Sequence, residues 1–424
     1  MKEIIKSSKH TTKFANSGKQ ENLLAFLIEY NRVKWALVDY LWTTKINWSN
    51  KILDIKNNKL DVPSFISTTE LPIETNLSAR ALKLASAEAL AIVDSQVAKR
   101  RKQLFVLKRL QKEQKFGDCR SLQSKIDSTP LVKPSQTSAN LYANLDSNCC
   151  EYIQTDSHFN GFLKIHALGK DYGHIYIPIQ LTKHSKKLLS NDYNLMTSWH
   201  IGEKDVTSRW KKSVEKSTGT KIIGADQGFT TCLSLSDSQV TGKCSHGHDL
   251  ASIIAGMGKK KKGSKAYKKA QHHRTNYINW AINQLNLSDV SELRLEKLHQ
   301  MRYGQSMGKS LSSWTYTEIN TKISRRCEEL GVPVIEQSAT YRSQRCSTCG
   351  FVHKSNRKRK EFICRSCGNI ADADINGALN HEADLYRLPF GIRQSHLNKI
   401  GFFWTSDGIY DEFGQALTVP DVPN

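Results

Sequence analysis

The sequence predicts a multidomain α/β protein in which a helical part and a β module precede a mixed β/α domain with a small metal-binding insertion. Three observations carry this prediction. The hydrophobic period changes from helical to two near residue 150, strand and helix patterns alternate from residue 221 onward, and two Cys-x-x-Cys pairs lie close to the C-terminal end of that alternation.

The cysteine pairs lie within residues 340–380. They are Cys346/Cys349 and Cys364/Cys367, with fourteen residues between the pairs. This gap is one residue shorter than in the usual zinc ribbon. Four thiolates in such a pattern supply the tetrahedral sulfur ligands of a structural Zn²⁺, whereas four unrelated buried cysteines rarely show this regularity. Gly350 and Gly368 follow the second cysteine of each pair, where a tight knuckle needs a permissive backbone.

The overall charge favours a polyanionic partner. With 62 basic and 40 acidic residues the formal charge is +22, which fits nucleic acid better than a small substrate, although a solubilising surplus is the plainer alternative. The N-terminal residues lack the apolar core of a signal peptide, and no apolar run approaches a membrane span. The other six cysteines have no framework-like spacing, so we expect reduced thiols in a cytoplasmic protein.

The first part of the chain reads as helical. A weak strand pattern over 3–15 precedes an apolar stripe over 20–42, and a long helix is predicted over 78–116 with Gly117 as its stop. The second half of that helix is rich in Lys and Arg. Its basic face is either a solvated surface or a phosphate-binding one, and we favour the latter. Residues 127–148 are polar and contain two prolines, so they predict a linker.

The segment from about 150 to 215 predicts an all-β module. GFLKIHAL and HIYIPIQL predict a hairpin, LMTSWHI predicts a further strand, and Pro178 is expected at an edge or a bulge. The N-terminal strand is a candidate to complete this module.

From Lys221 the predicted order is β-β-β-α-β-α-β, followed by the cysteine insertion and a last helix. That is the order of an RNase H-like nuclease fold. An apolar strand ends in Asp226, ELRLEKL is a strand with the interior acid Glu296, and Asp374 opens the last helix. The Lys259–Lys262 run is an exposed loop with a possible phosphate-binding role.

These three acids can meet in such a topology, with two on adjacent central strands and one on the helix that crosses them. Carboxylates a few ångströms apart repel by about 1 to 4 kcal/mol per pair, so a cluster of them is tolerated around divalent cations such as Mg²⁺ or Mn²⁺. Two ions about 4 Å apart can activate water and stabilise the leaving oxygen in phosphodiester hydrolysis. The plainer alternatives are a turn cap for Asp226, a surface residue for Glu296 and a helix N-cap for Asp374. Asp372 and Glu292 are the neighbouring acids most easily mistaken for Asp374 and Glu296.

Over about residues 219–385 the chain resembles a known family. GADQG, LEKL and DADINGALN resemble the three RuvC motifs of the TnpB nucleases of insertion sequences and of the miniature type V CRISPR effectors related to them. YRSQRCSTCG is similar to the segment that precedes the family's zinc ribbon. The resemblance implies that Asp226, Glu296 and Asp374 are the catalytic acids and that the four cysteines bind zinc in a target-nucleic-acid-binding insertion. It also implies a protein encoded by a prokaryote, a phage or a mobile element.

The resemblance also implies a domain organisation. Residues 1–18 and 146–218 would form the wedge domain, 19–145 the helical recognition domain, 219–340 and 369–424 the RuvC domain, and 341–368 the zinc-ribbon insertion. The expected activity is RNA-guided cleavage of DNA at one RuvC site, beside a short adjacent motif, by a monomer or a homodimer on one guide RNA. Candidate nucleic-acid contacts are Lys99, Arg100, Arg101, Lys102, Lys108, Arg109, Lys259, Lys260, Lys261, Lys262, Arg342 and Gln344.

Several positions depart from the family pattern. Gln227 and His381 stand where apolar residues are common, Lys297 where Asp or Asn is common, and Gly377 where Ala is usual. The aromatic tail (Phe402, Phe403, Trp404) is compatible with core packing or with stacking on nucleic acid. Two other functions stay open: a guide-directed DNA-binding repressor that does not cut, and a zinc-ribbon nucleic-acid-binding transposition factor without RNA.

Overall fold

The protein, described here by a computed structural model, divides into two compact units. The N-terminal unit is Ile5–Lys212, and the C-terminal unit comprises Met1–Ile4 with Ser213–Asn424. The structure describes residues 2–45, 73–114, 116–129, 131–136, 141–228, 231–298, 316–389, 392 and 396–417. Among the helices of these residues, none combines the length and the apolar character needed to cross a membrane.

The described residues of the first half of the chain contain four α-helices and seven strands. In chain order these are β1 (Lys2–Thr11), α1 (Ser17–Tyr40), α2 (Ala79–Lys112), α3 (Phe116–Ser128), β2 (Tyr142–Leu145), β3 (Cys150–Gln154), β4 (Gly161–Ile165), β5 (Ile175–Ile179), α4 (Lys183–Ser190), β6 (Asn194–Gly202) and β7 (Asp205–Val214). The strands form a four-stranded sheet in the order β1-β7-β6-β2 and a three-stranded sheet in the order β3-β4-β5.

The N-terminal unit follows the sequence pattern in most elements. Helices α1 and α2 begin at Asn16 and Ser78, whose side chains accept a backbone hydrogen bond and cap the helix start. Their apolar faces form one core with the strands. The predicted hairpin is confirmed, because β4 and β5 pair antiparallel, and Pro178 lies on β5, the edge strand of its sheet, as expected. The N-terminal strand joins the four-stranded sheet.

Two predictions in this region are wrong. The long helix does not continue to Gly117: α2 ends at Lys112, Gln114 takes a left-handed conformation with φ of 54°, and Gly117 is the second residue of α3. The predicted linker over 127–148 contains the end of α3 and all of β2. Cys149 and Cys150 are buried free thiols and pack in the core.

The second half of the chain carries the mixed β/α domain. Its elements are β8 (Lys221–Asp226), β9 (Ser234–Leu235), α5 (Leu250–Gly258), α6 (Lys265–Asn283), β10 (Val290–Lys297), α7 (Tyr316–Glu329), β11 (Val334–Ser338), β12 (Phe351–Val352), β13 (Arg357–Lys358), β14 (Glu361–Ile363), β15 (Ile370–Asp372), α8 (Ala373–Glu382), β16 (Phe402–Trp404) and β17 (Ile409–Tyr410). The expected third strand of the first meander is a single bridge between Ser234 and Val240.

The central sheet of this unit has the order β11-β10-β8-β9. β10 runs parallel to both β8 and β11, with Leu295 opposite Ala225, whereas β9 is antiparallel to β8. Because side chains alternate along a strand, Ala225 and Leu295 point to one face and Asp226 and Glu296 to the other. The first face packs on α5, α6 and α7 in the apolar core, so the second face is left for α8.

The cysteine segment and the tail form two small sheets. β13, β14 and β15 make one antiparallel sheet, and β12 pairs with β16, which pairs with β17. Phe402 and Trp404 are buried in a small core, and Phe403 packs against Phe351. Of the two roles left open for the aromatic tail, the structure favours core packing.

Candidate active site and zinc centre

The first two predicted acids lie side by side at one edge of the central sheet. Asp226 is the last residue of β8, and Glu296 is the residue after Leu295, which is paired with Ala225. Carboxyl ends of adjacent parallel strands meet at the same edge, so the register alone brings these two side chains together. Helix α8 crosses the same face closely. A Cβ on Gly224 would lie 2.0 Å from the carbonyl oxygen of Ala378, so only glycine permits this approach.

The two carboxyl groups are held in an environment that disfavours their charge. Asp226 is 5% exposed. Burial and the nearby Asp374 raise the pKa of Asp226 to about 7, and burial and Asp226 raise the pKa of Glu296 to about 8. Buried carboxylates that repel one another are stabilised when a cation lies between them. The donor chemistry and the raised pKa values therefore fit a hard divalent cation.

The third predicted acid, Asp374, is buried in the first turn of α8 and bonded to two cations of the cysteine segment. Arg357 donates to its Oδ1 at 2.9 Å, and Lys360 forms an ion pair with its Oδ2. Thr231 donates to the same Oδ2 at 3.3 Å. The Asp374 carboxylate is near enough to raise the pKa of both Asp226 and Glu296, while Arg357 lowers both. The three acids thus interact electrostatically, and the positive charges of Arg357 and Lys360 balance the charge of Asp374.

The helix N-cap, which was the plainer alternative for Asp374, is formed by Asp372 instead. Asp372 caps α8, since its side chain accepts from the backbone N–H groups of Asp374 and Ile375. The other competing acid, Glu292, is paired with Arg294 at 2.7 Å. The structure therefore brings together the acids that the sequence singled out rather than the nearest alternatives, and their catalytic role stays a prediction.

The asparagines of DADINGALN tie α8 to the start of the cysteine segment. Asn376 and Asn380 both donate to the carbonyl of Arg345, at 2.8 and 2.7 Å, and the Asn376 Oδ1 accepts from the N–H of Ser347 at 2.9 Å. Arg345 in turn donates to the Asn380 Oδ1 at 2.6 Å. This buried network fixes the helix that carries Asp374 to the cysteine knuckle, a role that the sequence pattern did not indicate.

His381 is a further residue of the site that sequence reasoning did not assign. It is 1% exposed, and one ring nitrogen and one carboxylate oxygen each of Asp226 and Glu296 all lie within 4.8 Å of one another. Burial and the charge of Arg342 lower the pKa of His381 to about 3. The one signal in the sequence was a departure from the family pattern, since a histidine stands where the resembled family commonly has an apolar residue.

The four cysteines form the second candidate metal centre. Their sulfur atoms all lie within 4.8 Å of one another, with 3.7 Å between Cys346 and Cys367 and 3.5 Å between Cys349 and Cys364. Zn–S bonds of about 2.3 Å in a tetrahedron give S···S distances of about 3.8 Å, so the spacing fits Zn²⁺. At the two knuckles Gly350 and Gly368 have φ of 81° and 77°, a conformation that favours glycine. The cluster fits a structural zinc ribbon.

The basic residues predicted to contact nucleic acid differ in their exposure. Lys102, Lys108 and the run Lys259–Lys262 are exposed, and Arg101 and Arg109 are paired with Asp94 and Glu113. Lys99 lies on α2, but its side chain is outside the described set. Their contacts with nucleic acid stay predictions.

Three further proposed contacts form hydrogen bonds within the protein. Arg342 is buried, donates to the carbonyls of Ser338 and Asn380 and lies over the ring of Trp404, so the structure gives it a packing role instead of an exposed phosphate contact. The half-buried Arg100 donates to the carbonyls of Ile126 and Thr129. Gln344, also half-buried, accepts from Asn398 at 2.8 Å.

The fold and the two centres define an α/β protein with a four-cysteine ribbon beside a buried acidic cluster, and comparison with known proteins narrows the class. A family model described as Cas12f1-like, TNB domain matches residues 316–381, from α7 through most of α8. The CRISPR-associated endodeoxyribonuclease Cas12f1 of Sulfoacidibacillus thermotolerans is 34% identical over 115 residues, which is 27% of this chain and 26% of that protein. Cas12f1 of Syntrophomonas palmitatica is 41% identical over 61 residues, 14% of this chain and 12% of that protein.

These matches support a miniature type V CRISPR effector, the family whose motifs the sequence resembles. The aligned part of the chain spans about a quarter or less of the length of the curated relatives. Among solved structures, "Cryo-EM structure of the Cas12f1-sgRNA-target DNA complex" superposes with a TM-score of 0.44 at 14% identity, covering 90% of this chain and 99% of that chain. "Structure of the mini-RNA-guided endonuclease CRISPR-Cas_phi3" gives 0.48 at 11% identity, covering 89% and 92%. Scores at this level carry no argument about function.

Proposed function

We propose that this protein is an RNA-guided DNA endonuclease that hydrolyses phosphodiester bonds at a single RuvC-type site with Mg²⁺ or Mn²⁺. The observation that carries the proposal is the convergence of Asp226 and Glu296 from adjacent parallel strands, both with raised pKa values, under a helix that brings Asp374 to the same face. The curated relatives named as CRISPR-associated endodeoxyribonucleases support it.

The roles of the acids follow from their surroundings. Asp226 and Glu296 would hold divalent cations through carboxylate oxygens, and Asp374 would join them once its partners are exchanged. The bound cations would supply Lewis acidity and an activated water. No side-chain nucleophile is required, and the site offers hard oxygen donors of the type that Mg²⁺ and Mn²⁺ prefer.

Arg357 and Lys360 have a second role in this proposal. Both are partly exposed, with 30% and 45% of their side chains accessible, although their charged ends contact a nearly buried carboxylate. Each can exchange Asp374 for phosphate oxygens of a nucleic-acid strand, because Arg and Lys form charge-assisted hydrogen bonds with either anion. Binding of the strand would thereby release the third acid for metal binding.

The rest of the chain would hold the guide RNA and the target. We propose the wedge role for residues 1–18 and 146–218, the recognition role for 19–145, the RuvC role for 219–340 and 369–424, and a target-nucleic-acid-binding role for 341–368. A formal charge of +22 supports a large polyanionic ligand. Sequence specificity would come from guide pairing, and the protein would recognise heteroduplex shape and a short adjacent motif.

The test has two parts. RNA that co-purifies with the protein is sequenced, and the complex is then assayed for cutting of a matched target in Mg²⁺. Asp226→Ala should abolish cutting and leave guide-dependent binding intact, whereas Asp407→Ala, at an exposed turn of the same unit, should change neither. Unchanged cleavage by Asp226→Ala would remove the catalytic assignment. Binding without cutting by the wild type would favour a guide-directed repressor, and the absence of a defined RNA would favour a zinc-ribbon nucleic-acid-binding protein.

A further inference from the structure

We infer that His381 is a ligand of the catalytic divalent cation, so that the site of this chain offers one imidazole nitrogen beside the oxygens of Asp226 and Glu296. The inference deepens the proposed function and rests on it for the identity of the site. Among the described His, Cys, Asp and Glu residues, the grouping of potential ligand atoms at this sheet edge consists of these three side chains, without Asp374.

The helix geometry explains how His381 reaches the acids. Asp374, Gly377, Ala378 and His381 share one face of α8, since positions three, four and seven apart lie above one another. A Cβ on Gly377 would lie 3.1 Å from the Cγ and Oδ2 of Asp226, so this face meets the carboxylate directly. Helical side chains lean toward the N-terminus of their helix, so the imidazole of His381 leans from its own turn toward Gly377 and Asp226.

The state of the imidazole fits a ligand better than a packing residue. His381 is nearly fully buried, and within the described part of the chain its Nδ1 has no hydrogen-bond partner. A buried polar atom without a partner costs about 1–3 kcal/mol, and a bound cation would satisfy it.

The ligand set predicts a metal preference. Asp374 is occupied by Arg357 and Lys360, so the first cation would meet two carboxylates and one imidazole before a nucleic acid arrives. Imidazole binds first-row transition ions better than it binds Mg²⁺, which prefers oxygen ligands. We therefore expect the protein to prefer Mn²⁺ over Mg²⁺, and an apolar residue at 381 to reduce that preference.

The experiment measures Mn²⁺ binding to the zinc-loaded full chain in two ways. A titration gives the affinity, and pulsed electron paramagnetic resonance detects ¹⁴N bonded to Mn²⁺. The wild type should show ¹⁴N modulation that becomes ¹⁵N modulation in protein labelled with [¹⁵N]histidine. His381→Ile should lose the modulation and weaken Mn²⁺ binding by about tenfold or more, with a smaller change for Mg²⁺. His273→Ala, which alters an exposed histidine next to His248, is the matched control and should leave the signal unchanged.

The outcomes separate this inference from the proposed function. If Asp226→Asn abolishes Mn²⁺ binding while His381→Ile keeps the nitrogen signal and the affinity, the inference is wrong and the metal site stands. If Asp226→Asn leaves Mn²⁺ binding unchanged, the proposed metal site itself fails. Should His381→Ile not fold, His381→Gln replaces it, and a wild type that binds Mn²⁺ through Asp226 without any histidine signal overturns the inference without a variant at 381.

Discussion

The raised pKa values of Asp226 and Glu296 predict an unusual dependence of stability on pH. In protein that holds zinc but no divalent cation at the acids, the native state keeps protons on these groups up to pH 7 or 8, whereas their ordinary pKa values are 3.8 and 4.5. The native state then binds more protons than the unfolded state between about pH 5 and 7. The free energy of unfolding should therefore fall as the pH rises through this window.

The magnitude follows from the proton count. Each proton retained only by the native state lowers the free energy of unfolding by about 1.4 kcal/mol per pH unit, so the pair contributes up to about 2.7 kcal/mol per pH unit. The pKa of about 7 for Asp226 already includes the charges of Arg357 and Lys360, which favour the ionised form. Well above the higher of the two native pKa values, about 8, both groups are ionised in both states and the contribution becomes constant.

The perturbation is the isosteric pair of substitutions Asp226→Asn and Glu296→Gln, which removes both titrations. The assay is native-state hydrogen exchange, corrected for intrinsic rates, on peptides that cover β8 and β10, because the two units need not unfold together. The opening free energy of the wild type minus that of the double variant should fall from pH 5 to 7, while peptides from β4 and β5 show no difference.

A cation at the acids should reverse the trend. Mn²⁺ binds the ionised carboxylates, so its stabilisation should grow with pH and reach about 2.7 kcal/mol at a hundred times the dissociation constant. A difference between wild type and double variant that stays level or rises with pH in the metal-free protein would refute the reasoning from buried, mutually repelling carboxyls.

Three further predictions concern stability and the zinc centre. Cys364→Ser should lose zinc, measured by metal analysis, and destabilise the cysteine segment; full activity in metal-free wild type would contradict this. Glu88→Ala should cost about 3–5 kcal/mol in exchange of α1 and α2, since it leaves the fully buried Lys34 without its carboxylate 3.0 Å away. Adding Lys34→Met should restore the part of the loss that comes from the unpaired ammonium group, but not the part from Tyr30 and Asn144, which also donate to Glu88. Trp404→Ala should cost about 3–5 kcal/mol in the C-terminal unit; weaker RNA binding with unchanged stability would instead assign the ring to nucleic-acid stacking.

Features that depend on short stretches of sequence were the ones that could be predicted for this chain. The cysteine knuckles could be predicted because their chemistry depends on short spacings and on two glycines with positive φ, all within a few residues. The strands that carry Asp226 and Glu296 could be predicted from apolar runs bounded by polar residues. The stop of α2 could not, because Gln114 adopts a left-handed conformation for which its sequence gives no signal, whereas Gly117 signalled a stop and lies inside α3.

The sequence by itself determined the identity of the candidate ligands: four thiolates at zinc-ribbon spacing, and three acids at strand ends and at a helix start. Only the tertiary structure decided how those acids are partnered. Arg357 and Lys360 reach Asp374 from the cysteine segment, and His381 reaches Asp226 and Glu296 from two turns further along α8. The physical reason is that spacing along the chain fixes ligands that are neighbours in sequence, whereas the charge and protonation of a buried carboxylate depend on residues that only packing brings near it.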